Sequence, residues 1–167
     1  MKPLSFSVLA ACLLSACTSY GPQSLGTGSS IEATTRAMGA PTSETAQPGG
    51  GRRLEFARGP FGKHTYMVDF DAQGQLLRWE QVLTETNFNA IKGGMDSAEV
   101  LARIGHASQQ YVVGWHQKQV VWAYRYESPF CQWFQVGIDP QGKVVDTAYG
   151  PDPMCDTDDF RDHHDPL

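Results

Sequence analysis

Thiols, imidazoles and carboxylates are the side chains in this sequence that can carry chemistry, and their spacing decides which chemistry is open to them. Four cysteines stand at Cys12, Cys17, Cys131 and Cys155. His64, His106 and His116 each stand apart in the sequence and read as surface or strand-edge residues rather than general bases. Asp71 and Asp139 have the look of paired catalytic carboxylates. Each, however, opens a turn, Asp71-Ala72-Gln73-Gly74 and Asp139-Pro140-Gln141-Gly142, and turn formation accounts for both without chemistry. The stretch from Asp156 to Asp165 is dense in oxygen and imidazole ligands, yet nothing in it fixes tetrahedral geometry. It reads as a solvated acidic tail. No Gly-x-Ser-x-Gly, His-Glu-x-x-His, Walker A loop or dinucleotide fingerprint occurs. The expectation is a non-enzyme, with no cofactor and no metal.

Cys17 has the strongest context. Lys2 and an apolar run from Phe6 to Leu14 precede Leu14-Ser15-Ala16-Cys17, and a polar segment follows. A positive start, a short apolar run and small residues before a cut site make a secretory signal. The run is too short to cross about 30 Å of hydrocarbon. Leu-Ser-Ala-Cys resembles the lipobox of bacterial lipoproteins, which implies cleavage before Cys17, lipid on its thiol and acylation of the new N-terminus. Several acyl chains together give stable anchoring. In that family an Asp after the cysteine favours the inner membrane; Thr18 stands here, so the resemblance implies an outer-membrane protein facing the periplasm. In such an oxidising compartment, the default for Cys131 and Cys155 is a disulfide. It would close a loop of roughly 25 residues and contribute about 3 kcal/mol in the chain-entropy model. Two unrelated thiols, or less readily a metal site, are the alternatives.

The elements that position these groups follow from periodicity. Residues 17–27 read as a tether after a signal peptide at 1–16. A helix is expected from Ser30 to Met38, with Ser29 and Glu32 spaced as a capping box and Gly39-Ala40-Pro41 as its stop. Residues 42–51 read as a loop. Alternation in Leu54 and Phe56, then Tyr66, Val68 and Phe70, then a run from Gln75 to Leu83, gives three antiparallel strands. After a short helix over 84–91, the pattern returns. A capping box at Asp96 and Glu99 opens a helix over 97–104, and strands follow over 120–127, 131–138 and 143–149.

The halves superpose as sequence. Gly28, Met38 and Gly39 lie 66 residues before Gly94, Ile104 and Gly105. Leu54, Phe56, Tyr66, Val68, Phe70, Asp71, Gly74 and Leu76 lie 68 before Trp122, Tyr124, Phe134, Val136, Ile138, Asp139, Gly142 and Val144. An even shift keeps each strand residue on its own face. The expected fold is α+β, with two tandem units of one helix and a three-stranded antiparallel sheet. The first spans 28–83, the second 84–150, and 151–167 is the tail.

Gly93-Gly94-Met95-Asp96-Ser97-Ala98-Glu99-Val100 through Ile104-Gly105, then Trp122-Ala123-Tyr124 and Ile138-Asp139-Pro140-Gln141-Gly142, resemble the signature of the SmpA/OmlA (BamE-like) outer-membrane lipoproteins. The likeness covers about 60 residues of the second half well and the first half weakly. It implies a non-catalytic role in outer-membrane protein assembly or envelope integrity, with barrel-assembly machinery as partner. The family's usual member has one such unit; two in tandem are similar to the fold of β-lactamase inhibitory protein. That second likeness implies an alternative, a periplasmic inhibitor or scavenger gripping a soluble enzyme with its sheets.

Composition agrees with a binding domain. Apolar residues make up 41% of the chain, enough for a core, and a net charge of −5 argues against nucleic acid as partner. Aromatic residues are the natural protein-binding candidates. Trp115, in a Gly-Trp-His loop, and Trp133, opposite Phe134 on its strand, are expected to be the most exposed, with Tyr126 beside them.

Overall fold

A computed structural model describes residues 21–58, 62–114 and 118–155. Helix α1 (Ile31–Met38) leads into strands β1 (Ser43–Ala46), β2 (Arg52–Ala57), β3 (Thr65–Phe70) and β4 (Leu76–Gln81). A short helix α2 (Glu85–Asn89) and helix α3 (Ser97–Ile104) precede β5 (Gln109–Val113), β6 (Gln119–Arg125), β7 (Gln132–Ile138) and β8 (Val144–Pro151). The strands form two four-stranded antiparallel sheets, β1-β2-β3-β4 and β5-β6-β7-β8, each in chain order.

Each helix is fixed at both ends by its own sequence. Ser30 caps α1, its Oγ accepting from the Ala33 N–H at 3.2 Å; the cap lies one residue beyond the Ser29 expected from sequence. Asp96 caps α3 with the full reciprocal box, Glu99 Oε2 accepting from the Asp96 N–H at 3.0 Å. Gly39 and Gly105 end the two helices at φ +81° and +74°, a backbone region that only glycine enters at low cost.

Alternation places one face of each sheet on its helix. In the first unit Leu54, Phe56, Tyr66, Val68, Phe70 and Leu76 pack with Met38 of α1. In the second, Tyr124, Tyr126, Phe134, Val136, Ile138 and Val144 pack with Val100 and Ile104 of α3. Phe88 of α2 joins this second core, stacked on Phe134 at 4.3 Å and edge-on to Tyr126 at 5.0 Å. Burial of each large apolar side chain contributes about 1.5–3 kcal/mol, so these faces dominate the stability of both units.

The backbone repeats in detail. Asp71 Oδ1 accepts from Gln73 and Gln75 N–H, and Asp139 Oδ1 accepts from Gln141 and Lys143 N–H, all at 2.8–2.9 Å. Both are turn residues, as their spacing predicts. A bulge follows Asp69 in one sheet and Gly137 in the other. Isolated bridges Ser30↔Gln75 and Asp96↔Lys143 tie each helix start to its sheet.

Three expectations need correction. Each sheet has four strands, because β1 and β5 add an edge to it. The segment 42–51, read as a loop, contains β1 and a 3₁₀ turn at Pro48–Gly50. Neither edge strand shows a buried, alternating face: β5 is exposed at every residue and β1 at three of four. The last strand also runs on to Pro151, one residue into the expected tail.

Candidate functional site

The units meet where α3 lies across the first sheet, on the face opposite α1. That face carries Arg53, Glu55, Met67 and Asp69, since strand alternation sends Leu54, Val68 and Phe70 the other way. Arg53 Nη1 donates to the Ala102 carbonyl at 3.3 Å. A cavity of about 300 Å³ remains between Met67 and Ser43 of the sheet and Leu101, Ala102 and His106 of the second unit.

Glu55 is the centre of this junction. It is 3% exposed, and its carboxylate accepts from Ser43 Oγ at 2.8 Å and the His106 N–H at 2.6 Å, with His106 Nδ1 at 2.7 Å. A buried carboxylate is tolerable only with such partners. Ser43 and His106 both bind the acid, so the serine proton goes to Glu55 and not to the imidazole. This arrangement differs from a serine–histidine–acid relay, in which the base lies between the other two. The Tyr124 hydroxyl, donating to the Gly105 carbonyl at 3.0 Å, has its pKa pushed up by burial and then by the charge of Glu55. It stays protonated and structural.

A second, polar cavity of about 390 Å³ adjoins the first and is lined by Arg53, Asp69, Arg78, Glu80, Glu99 and Arg103 among others. Arg53 grips Asp69 with two hydrogen bonds, at 2.6 and 2.9 Å, and Arg78 adds a third contact at 2.9 Å. The Arg53 hydrogen bond holds the Asp69 carboxyl below the usual carboxylate range, against the opposing effect of burial. Three guanidinium groups face three carboxylates here, so the pocket has no net charge to recruit an ion.

On the second sheet the matching face is organised differently. Arg125 pairs with Asp152 at 2.6 and 3.0 Å, both nearly fully buried, and its guanidinium lies over the Trp133 ring at 5.7 Å. Tyr111 of β5 stacks on the same indole at 6.2 Å. Burial pushes the Asp152 carboxyl up, but the Arg125 hydrogen bond, the Met154 N–H and the Arg125 charge bring it below its ordinary value.

These contacts correct the expected binding residues. Trp133 is 6% exposed, covered by Arg125 and Tyr111, and Tyr126 is 3% exposed in the core, where its hydroxyl accepts from Gln132 Nε2 at 2.7 Å. Neither presents an open ring to a partner. Trp115, Cys17 with its signal, and the tail from 156 onward lie outside the described residues. Cys131 and Cys155 are joined in a disulfide, which clamps the end of β8 to the β6–β7 turn. His64 stacks on Tyr66, whereas His106, expected to stand alone, has Glu55 as its partner. Among the described residues no three metal-ligating side chains gather, and no described helix is long and apolar enough to cross a membrane.

Sequence reasoning missed Glu55, His106 and β5. Glu55 and His106 lie 51 residues apart, and no local pattern joins them. For β5 a signal was present: Tyr111-Val112-Val113 before Gly114 is rich in strand-forming types.

No family model and no curated protein matches the chain. Among solved structures, a cysteine-rich secretory protein from Staphylococcus aureus is 15% identical and covers 76% of this chain and 44% of that one, at a TM-score of 0.28. The chain therefore spans less than half of that protein, and the likeness bears on neither fold nor role.

Proposed function

We propose that this chain is a non-catalytic binding module, held at the outer membrane by lipid on Cys17 and facing the periplasm, which supports outer-membrane protein assembly or envelope integrity through protein contacts. The observation that carries this reading is the lipobox-like Leu14-Ser15-Ala16-Cys17 in front of an SmpA/OmlA-like signature. The signature residues themselves serve the scaffold. Asp96 and Glu99 cap α3, Gly105 ends it, and Asp139 with Gly142 forms a turn. Glu55, Asp69 and Asp152, the acids best placed to act in a buried site, are engaged with Ser43, His106 and arginines. Beside exposed Gln109, Gln110, Asp146 and Thr147, the strands of the second sheet leave Tyr111, Val112, Val113, Val145 and Tyr149 partly open to solvent. Exposed apolar groups of this size suit a protein partner better than a small polar substrate.

The alternative, an inhibitor gripping a soluble enzyme with both sheets, has less to stand on. Such a grip needs both open faces, and α3 lies on the first. The test is affinity capture of the lipidated protein from gently solubilised envelopes, compared with Cys17→Ala by quantitative mass spectrometry. Barrel-assembly components enriched only with the lipidated form are the expected outcome. A soluble enzyme retained equally by both forms would overturn it in favour of the inhibitor.

A further inference from the structure

The four sheet edges of this molecule are not alike. β1 (Ser-Glu-Thr-Ala) is four residues long, carries Glu44 bound by Arg52 at 3.2 Å, and lies between Pro41 and Pro48. β4 carries Arg78 and Glu80, and β8 carries Asp146 and ends at Pro151. Short length, charge and proline are the usual protections of an edge, whose unpaired N–H and C=O groups otherwise template another strand. β5, Gln-Gln-Tyr-Val-Val, has none of them. Val112 is 63% exposed, Val113 38% and Tyr111 37%. Of the four described edges it alone is uncharged.

We infer that β5 pairs antiparallel with β5 of a second copy of this chain, about a two-fold axis through Val112, joining the two second sheets into one of eight strands. The strand's own sequence selects that occupant. In this register Val112 faces its twin, and Tyr111 faces Val113 of the other copy on both sides of the axis, giving aromatic–β-branched pairs of the kind that stabilise sheets. Centring on Tyr111 instead would set Gln109 and Gln110 against valines. With no charge on the strand, two copies meet without like-charge repulsion. Stacking on Trp133 holds Tyr111 in place before pairing, which lowers the ordering cost of association. A two-fold contact uses each edge once, so assembly stops at the dimer. Two five-residue strands bury less than the roughly 1,200 Å² of a stable interface. The pairing is therefore weak in dilute solution and grows where copies are concentrated in a plane. The pairing itself follows from the strand, but its accumulation in a plane rests on the membrane anchoring proposed above, so cross-linking is read both in membranes and with the protein concentrated in solution.

Cysteine cross-linking of the full chain tests it. V112C places two thiols directly across the axis, at a spacing close to that of a disulfide, while A46C marks the corresponding position on β1. Under mild oxidation in membranes, V112C is expected to give a covalent band of twice the monomer mass, and A46C, like the parent without an added thiol, to give no cross-linked band. Mixing Y111C with V113C should link faster than either alone, which reads the register. V112K, at an exposed position that leaves the circular dichroism unchanged, should lower the dimer fraction by at least about tenfold, through like charges set opposite each other. The proposal is overturned if V112C links no faster than A46C, if V112K dimerises like the parent, or if V112C bonds to a species of another mass. That last result would assign the edge to a strand from a different protein.

Discussion

The two units share a backbone and differ in what lies on the far face of each sheet. Glu55, Ala57, Thr65, Met67 and Asp69 of the first sheet correspond to Ala123, Arg125, Trp133, Gln135 and Gly137 of the second. On the first sheet that face lies against α3 across two cavities, and its polar groups are partnered: Glu55 takes His106, and Arg53 takes both Asp69 of the same sheet and a helix carbonyl. On the second sheet the matching residues cover one another, with Arg125 over Trp133 and Asp152 locked to Arg125. Residues whose work lies within a unit are shared: the turn aspartates, the positive-φ glycines Gly28, Gly39 and Gly74 with Gly94, Gly105 and Gly142, and the helix-facing core. Residues whose work depends on a neighbour have diverged. The two sheets share what local physics sets and differ in the rest.

The sharpest break in this comparison comes from Arg125→Met. It leaves buried Asp152 without its hydrogen-bonded counter-charge and should cost about 3–5 kcal/mol in urea denaturation. Replacing Asp152 with Leu in the same chain should recover much of that loss. The first unit offers no equivalent experiment, since Ala57 stands at the matching place.

Next in size is the contrast between Gly105→Ala and Gly39→Ala. Both force alanine into a glycine-only region, at about 1–3 kcal/mol each. A Cβ on Gly39 meets nothing within 4 Å, whereas one on Gly105 would lie 2.6 Å from Glu55 Oε1 and 2.9 Å from Thr65 Cγ2. G105A should therefore lose about 1–3 kcal/mol more than G39A, the usual cost of overpacking. Equal losses would show that the junction yields easily.

The smallest effect is in acid. Because Arg53 depresses the folded-state pKa of Asp69, that pair's contribution is fully present above the unfolded carboxylate value near pH 4 and is lost as pH falls through the lower folded value. Asp69→Asn should flatten the fall in denaturation midpoint below about pH 4, leaving a residual slope from Asp152, whose pKa is also lowered. An unchanged acid profile in D69N would mean that the clamp holds shape and not stability.

Much of this was legible in the sequence wherever the cause was local. The limits of α3 follow from the Asp96 box and Gly105, and the role of Asp71 and Asp139 follows from their Asp-x-x-Gly spacing. The register of the repeat follows from glycines and core residues two to a face. What escaped was set by distant partners or by exposure. β1 and β5 bury no alternating face, so they leave no period. Trp133 reads as outward-facing because its face opposes Phe134, but Arg125 of the adjacent β6 and Tyr111 of β5, two strands away, lie over its ring. His106 appears solitary until the fold brings Glu55 to it.

The order of strands in each sheet is the order of strands in the chain, and this shapes the path to the native state as well as its architecture. Nearly every sheet contact joins neighbours in sequence, the condition under which folding is fast for a β-rich chain. Long closures within a unit include the bridges from helix start to last hairpin, Ser30 to Gln75 and Asp96 to Lys143. A growing chain thus holds all the strands of its first sheet before α3 has emerged. Until then Glu55 keeps its water. Its dehydration waits for Gly105 and His106, so the arrival of the second unit turns a wet carboxylate into one of the bonds that join the two.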